Sequence, residues 1–154
     1  RDIALLIQGL VQQIWDPAEG AGYLWAMNRD PLPNTPAKDV LVHTAIGDVQ
    51  VTTIAGQIQA RAYGAKTVSP RYRDVWDVED AAPGFSGSAL VEWHYGDAAI
   101  EPDDNLPPQG PDPHECPRRE PASYAQVRDF LEDGVVNHYC EGVCSATVAE
   151  VCPD

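Results

Sequence analysis

The apolar positions of this chain fall into patterned runs separated by stretches rich in proline, glycine and acid. Ile3, Leu6, Ile7, Leu10, Val11 and Ile14 recur at steps of three and four, predicting a helix with one apolar face that must cover something. The sequence DPAEGAG from Asp16 stops it, and a proline-rich loop, residues 28–39, follows. Val40, Leu41, Val42, Ala45 and Ile46 then form a nearly continuous apolar run, the pattern of a strand covered on both faces. Val51, Ile54, Ala55, Ile58, Ala62 and Tyr63 supply a second helix, with Gly64 placed to end it.

In SALVEWHYG, residues 88–96, the alternation puts Ala89, Val91, Trp93 and Tyr95 on one face of a strand. Strand, helix, strand in this order is a βαβ unit, whose strands run parallel. Residues 96–121 form a loop too long for an idle connection. A last helix carries Tyr124, Val127, Phe130 and Leu131 on one side and closes at Gly134, leaving a cysteine-rich tail, 137–154. Two strands make a marginal sheet, and a parallel pair flanked by helices belongs to a larger one. Residues 1–154 therefore read as a single partial α/β domain.

Composition narrows the function. A net charge of −14 repels polyanions, so nucleic acid is not an expected partner. No apolar run approaches the roughly 18 residues of a membrane-spanning helix. Glu101, Asp103, Asp104 and Asp112 read as solvated surface acids. Calcium is the cation they leave open, although they lack the spacing of a calcium loop. The four cysteines, Cys116, Cys140, Cys144 and Cys152, cluster late in the chain, which suggests two disulfides and an exported protein. A zinc site using His138, Cys140 and Cys144 is the alternative, with a spacing that matches no usual zinc pattern. Arg1 opens directly on an amphipathic segment, from which an upstream start and a removed signal peptide are expected.

Ligands of open α/β sheets bind beyond the carboxyl ends of the strands. Asp48 follows the first strand, and His114 lies in the loop that follows the second. A carboxylate and a histidine on adjacent exit loops can meet. They would form the acid and base of a nucleophilic triad, in which the carboxylate sets the imidazole tautomer and stabilises the imidazolium.

The residues LIQGLVQQIWDPAEGAGY, DPLPNTPAKDVLVHTAIGDVQVTTIAGQIQARAYGA, SGSALVEWHYG and NLPPQGPDPHECPRREPASYAQVRDFLEDGVV, with the CEGVC tail, resemble the C-terminal half of secreted bacterial α/β-hydrolase-fold proteins of the lipase and esterase kind. The resemblance covers most of the chain, and its specific parts are Gly-Asp after the strand and the Asp-Pro-His loop followed by arginine. It implies a mostly parallel sheet with flanking helices and a disulfide-pinned tail. It further implies Asp48 as triad acid, His114 as triad base, and no organic cofactor.

The family pattern also requires a Gly-x-Ser-x-Gly elbow. Here GFSGS, residues 84–88, is the nearest imitation, with the second glycine one place early and a strand where a helix should follow. Ser86 reads as a turn residue.

Simpler roles compete at each position. Asp48 could cap the helix that follows it, and His114 could be a surface histidine. His43, His94 and His138 read as structural. Cys116 reads as bridged rather than nucleophilic. Arg118 and Arg119 suit local ion pairs or an anionic substrate. Tyr23, Trp25 and Met27 suit core packing before an acyl pocket.

The expected function is an exported, cell-surface or periplasmic serine hydrolase of carboxylic esters. This chain would supply acid and base, and an N-terminal segment of the same fold, as a separate chain or a missing part, would supply the serine. The rivals are a non-catalytic binding or structural subunit that keeps the scaffold, and a small zinc protein.

Overall fold

A computed structural model describes residues 2–96, 100 and 110–146. The chain divides into two units, Arg1–Lys38 and Asp39–Asp154.

In the first unit the three- and four-step apolar spacing produces helix α1, Asp2–Trp15, followed by 3-10 segments at Asp16–Ala18 and Gly20–Met27. None of these elements contains a buried residue. Tyr23, Trp25 and Met27 all belong to the second 3-10 segment. There Tyr23 Oη donates to the Pro17 carbonyl (2.9 Å) and Trp25 Nε1 to that of Gly22 (2.7 Å).

The second unit holds a sheet with helices on both faces. Its strands are β1 (Leu41–Ala45), β2 (Lys66–Val68), β3 (Asp80–Ala81), β4 (Ala89–Tyr95) and β5 (Ser145–Ala146). Four of them lie all-parallel in the order β1-β4-β2-β3, and β5 adds to the carboxyl end of β4, also parallel. Helix α2, Thr53–Tyr63, links β1 to β2, and α3, Pro121–Asp133, follows the long loop. Gly64 and Gly134 end the two helices in the left-handed conformation (φ 62° and 66°), where a side chain would be strained.

The expected pairing of the first strand with SALVEWHYG is present, with Leu41 opposite Ala89 and Ala45 opposite Trp93. Two short strands, β2 and β3, intervene in sequence, and β4 inserts between β1 and β2. Ala89, Val91, Trp93 and Tyr95 share one core cluster, joined on its margin by Ala122 and Phe130 of α3. The opposite face of β4 is buried as well. Leu90 packs there with Ala60 of α2, Ala65 and Val75.

Glu92 on that face is buried and charged. Arg73 Nε (2.8 Å) and Gln57 Nε2 (2.9 Å) satisfy its carboxylate. A central strand covered twice shows burial at nearly every position, which is why its alternation is only half of its pattern.

β1 has the reverse history. Its near-continuous apolar run suggests cover on both faces, yet four of its five residues are only half-buried, because it is an edge strand. Against it, α2 sits so close that a Cβ on Gly56 would overlap Thr44 Cγ2.

Cys140 and Cys144 form a disulfide. Cys116 is fully buried and disulfide-bonded, and Cys152 lies outside the described residues. Parts of the 96–121 loop and of the 137–154 tail also lie outside them. Among the described residues no helix is long and apolar enough to cross a membrane.

Candidate active site

The site grows from the carboxyl end of β1. After Ala45 and Ile46 the chain turns at Gly47 (φ 85°) and presents Asp48, which is buried. Asp48 Oδ1 accepts the backbone N–H groups of Gln50 and Val51, both at 2.8 Å. This turn orients the carboxylate, as Asp side chains commonly do when they bind the backbone two residues on. The helix itself begins at Thr53, so Asp48 organises the entry loop rather than capping α2.

The second oxygen, Oδ2, lies 2.8 Å from His114 Nδ1. The two residues are 66 positions apart and meet because β1 and β4 are adjacent and parallel. Their exit loops therefore share one end of the sheet. An ionised carboxylate only accepts, so the pair places the imidazole proton on Nδ1 and leaves the lone pair on Nε2.

Asp112, which reads as a surface acid in sequence, pins the histidine loop to the loop after β1. Its Oδ1 accepts the N–H groups of His114 (3.2 Å) and Val49 (3.3 Å), and its Oδ2 accepts Gln50 Nε2 (2.8 Å). Burial opposes its ionisation, but these hydrogen bonds outweigh it and hold the carboxyl below its ordinary range. The sequence signal was present in Asp-Pro-His: an Asp two residues before the histidine can bind that residue's own N–H.

Arg118 Nη2 stands 3.4 Å from His114 Nε2, while Arg118 Nη1 pairs with Glu115 (3.1 Å). Beside this group opens a cleft of about 440 Å³, lined by Val51, Thr52, Gln59, His114, Tyr124 and Val127 among others. Residues 41–45 of β1 line it as well.

The remaining candidates are held elsewhere. Ser86 is exposed and precedes β4, at the amino end of a seven-residue strand. It is thus about 20 Å along the sheet from the end where Asp48 and His114 meet. His94 stacks on Tyr72 (4.2 Å between ring centres). His138 Nε2 lies 3.2 Å from the Pro70 carbonyl and 3.7 Å from Cys144 Sγ.

His138, Cys140 and Cys144 form a trio of metal-type ligands within 4.8 Å of one another. Both sulfurs are committed to the disulfide, and zinc takes thiolates. The donor set as bonded does not fit zinc.

His43 lines the same cleft as His114. Its Nδ1 is 2.9 Å from Ser123 Oγ on α3, its Nε2 is buried without a hydrogen-bond partner among the described residues, and burial lowers its pKa to about 4. It is a neutral structural group at pH 7.

Compared with protein-family profiles, curated proteins and solved structures, the chain matches none.

Proposed function

We propose that the chain provides the acid and the base of a serine hydrolase acting on carboxylic esters, exported from the cell, with an α/β-hydrolase-like fold. The observation that carries this reading is the 2.8 Å contact between Asp48 Oδ2 and His114 Nδ1 at the carboxyl end of two adjacent parallel strands.

In this mechanism Asp48 orients His114 and stabilises its imidazolium. His114 Nε2 takes the proton of a serine hydroxyl as that oxygen attacks the ester carbonyl, then returns it to the departing alcohol. Water repeats the cycle on the acyl-enzyme. Arg118 must move off Nε2 for the serine to reach it, and Glu115 already offers it a second partner. Val51, Tyr124 and Val127 make the neighbouring cleft apolar enough for an acyl chain. No organic cofactor enters any step.

Among the described residues no hydroxyl is hydrogen-bonded to His114 Nε2, and Ser86 stands at the wrong end of the sheet. The serine in this reading comes from another segment of the fold, as a separate chain or a further part of the same protein. The same observation favours the second reading, a non-catalytic extracellular binding or structural subunit on the same scaffold.

A fluorophosphonate probe, which labels serines activated by histidine, separates the two in the protein assembled as it occurs naturally. The hydrolase reading expects a labelled serine outside these 154 residues, with the label lost in His114→Ala. Absence of label, or label that survives His114→Ala, gives the scaffold reading the lead.

A further inference from the structure

The disulfide-bonded cysteines of this chain differ in access. Cys116 is fully buried. Cys140 is half-buried and borders an open cleft of about 610 Å³, which it shares with Trp93, Glu120, Tyr139 and Glu141. Its partner Cys144 is buried, and the gap beside it holds about 10 Å³, no more than one water occupies. A reagent arriving from solvent therefore meets the Cys140–Cys144 bond at Cys140.

The other sulfur has the polar neighbour. His138 Nε2 lies 3.7 Å from Cys144 Sγ and 3.2 Å from the Pro70 carbonyl. A carbonyl oxygen and a disulfide sulfur only accept, so Nε2 carries the imidazole proton toward both. Hydrogen bonding to a charged form favours that form, so this N–H stabilises a thiolate on Cys144. Thiol–disulfide exchange runs faster when the departing sulfur is the better-stabilised thiolate. Access thus selects Cys140 as the sulfur attacked, and the hydrogen bond selects Cys144 as the sulfur that leaves. Two independent observations give the bond the same polarity.

The two cysteines are only four positions apart. So short a loop withdraws little entropy from the unfolded chain, and opening it costs little folding energy. Contacts without sulfur hold the segment in place. Asn137 Nδ2 (2.7 Å) and Tyr139 Oη donate to Asp129 on α3, and the Cys144 carbonyl accepts the His94 N–H (3.0 Å).

We propose that Cys140–Cys144 is a reactive disulfide that takes up a low-molecular-weight aminothiol on Cys140. The attacking thiolate bonds to Cys140 Sγ as the Cys140–Cys144 bond breaks and leaves its electron pair on Cys144. The incoming sulfur is oxidised to the disulfide level, and the Cys144 sulfur is reduced to a thiolate held by His138 Nε2–H, which later takes a proton from water. A second thiol attacks the mixed disulfide, departs as the symmetrical small disulfide and leaves both cysteines as thiols. The amine is specified by charge. Glu120 and Glu141 line the approach to Cys140, and a net charge of −14 repels anionic thiols. None of these residues belongs to the Asp48–His114 site, so the inference is independent of the hydrolase reading.

Cysteamine is the probe. The 154-residue chain, with its disulfides formed, is exposed to millimolar cysteamine at neutral pH, quenched in acid at intervals and alkylated with N-ethylmaleimide. Proteolysis after glutamate separates Cys140 from Cys144 at Glu141, and mass spectrometry reads cysteamine and maleimide on each cysteine.

The expected first product carries cysteamine on Cys140 and maleimide on Cys144, and it forms about tenfold or more faster than any product at Cys116. His138→Ala should slow it roughly three- to tenfold, while His138→Gln, whose side-chain N–H can still donate to Pro70 and Cys144, should stay near wild type. Cysteamine on Cys144, opening at Cys116 as fast as at Cys140–Cys144, no opening of the bridge, or an unslowed His138→Ala overturns the inference. The first three outcomes need no variant. No ester or serine probe is involved, so failure here is distinct from failure of the fluorophosphonate test.

Discussion

At one side of the sheet β3 runs for two residues and spends its carboxylate on Arg71 and Ser69, while at the other β1 runs for five residues and, among the described residues, pairs with β4 alone. Sheets of soluble proteins finish an edge in the first manner when it faces water. The candidate chemistry lies at the carboxyl end of this same β1, and the apolar cleft lies along it. The short, ion-paired strand and the Asp48–His114 pair thus lie at opposite edges, and four perturbations test that contrast.

The largest effect is expected at the β1 end. In the naturally assembled protein, Asp48→Asn should lower ester turnover by about 10⁴-fold through loss of the correct imidazole tautomer. His114→Ala should do at least as much. Thermal midpoints should stay close to wild type for Asp48→Asn, because an Asn side-chain oxygen can still accept the Gln50 and Val51 amides. Retained turnover in either variant removes the catalytic half of the comparison.

Next in size is a pH effect beside β1. His43 has a folded pKa of about 4 against an ordinary 6.5, because burial disfavours its charged form. Above pH about 6.5 both folded and unfolded forms are neutral. As pH falls from there toward 4 the unfolded chain takes up a proton that the folded chain refuses, so stability declines by roughly 3 kcal/mol in all. Urea titrations at pH about 7 and 4.5 should show this loss in wild type and a smaller one in His43→Gln. Equal losses would mean that His43 is not held neutral by the fold.

The contact of α2 with β1 comes third. Gly56→Ala places a methyl group into Thr44 and should destabilise by about 1–3 kcal/mol, read as a lowered urea midpoint. A companion Thr44→Ser, which removes the obstructing methyl, should restore part of it. Smallest is the far edge. Arg71→Ala removes solvent-screened ion pairs with Asp74 and Asp80 and should leave the urea midpoint close to wild type, with no change in ester turnover. A larger cost would show that β3 contributes more than a blunted rim.

Periodicity is a property of a segment, and wherever a segment was long enough its type was legible. The apolar rows of α1, α2 and α3, the run of β1 and the alternation of β4 each span five or more residues, and all appear as elements. Asp48 and His114 were legible as a pair because parallel strands put successive exit loops at one end of the sheet. Left-handed Gly64 and Gly134 were legible as helix ends.

Other features belong to the folded chain alone. β2, β3 and β5 hold two or three residues each, too few to show a period. The order β1-β4-β2-β3 depends on pairings between distant segments, which leave no mark in either one. The apolar run of β1 describes a strand meant to be covered, and only the sheet revealed that, among the described residues, it pairs with β4 alone. The role of Asp112 required the loops after β1 and β4 to be brought within 3.3 Å of each other. Local sequence sets what a segment prefers; which segment it meets, and which edge is left open, is decided by long-range packing.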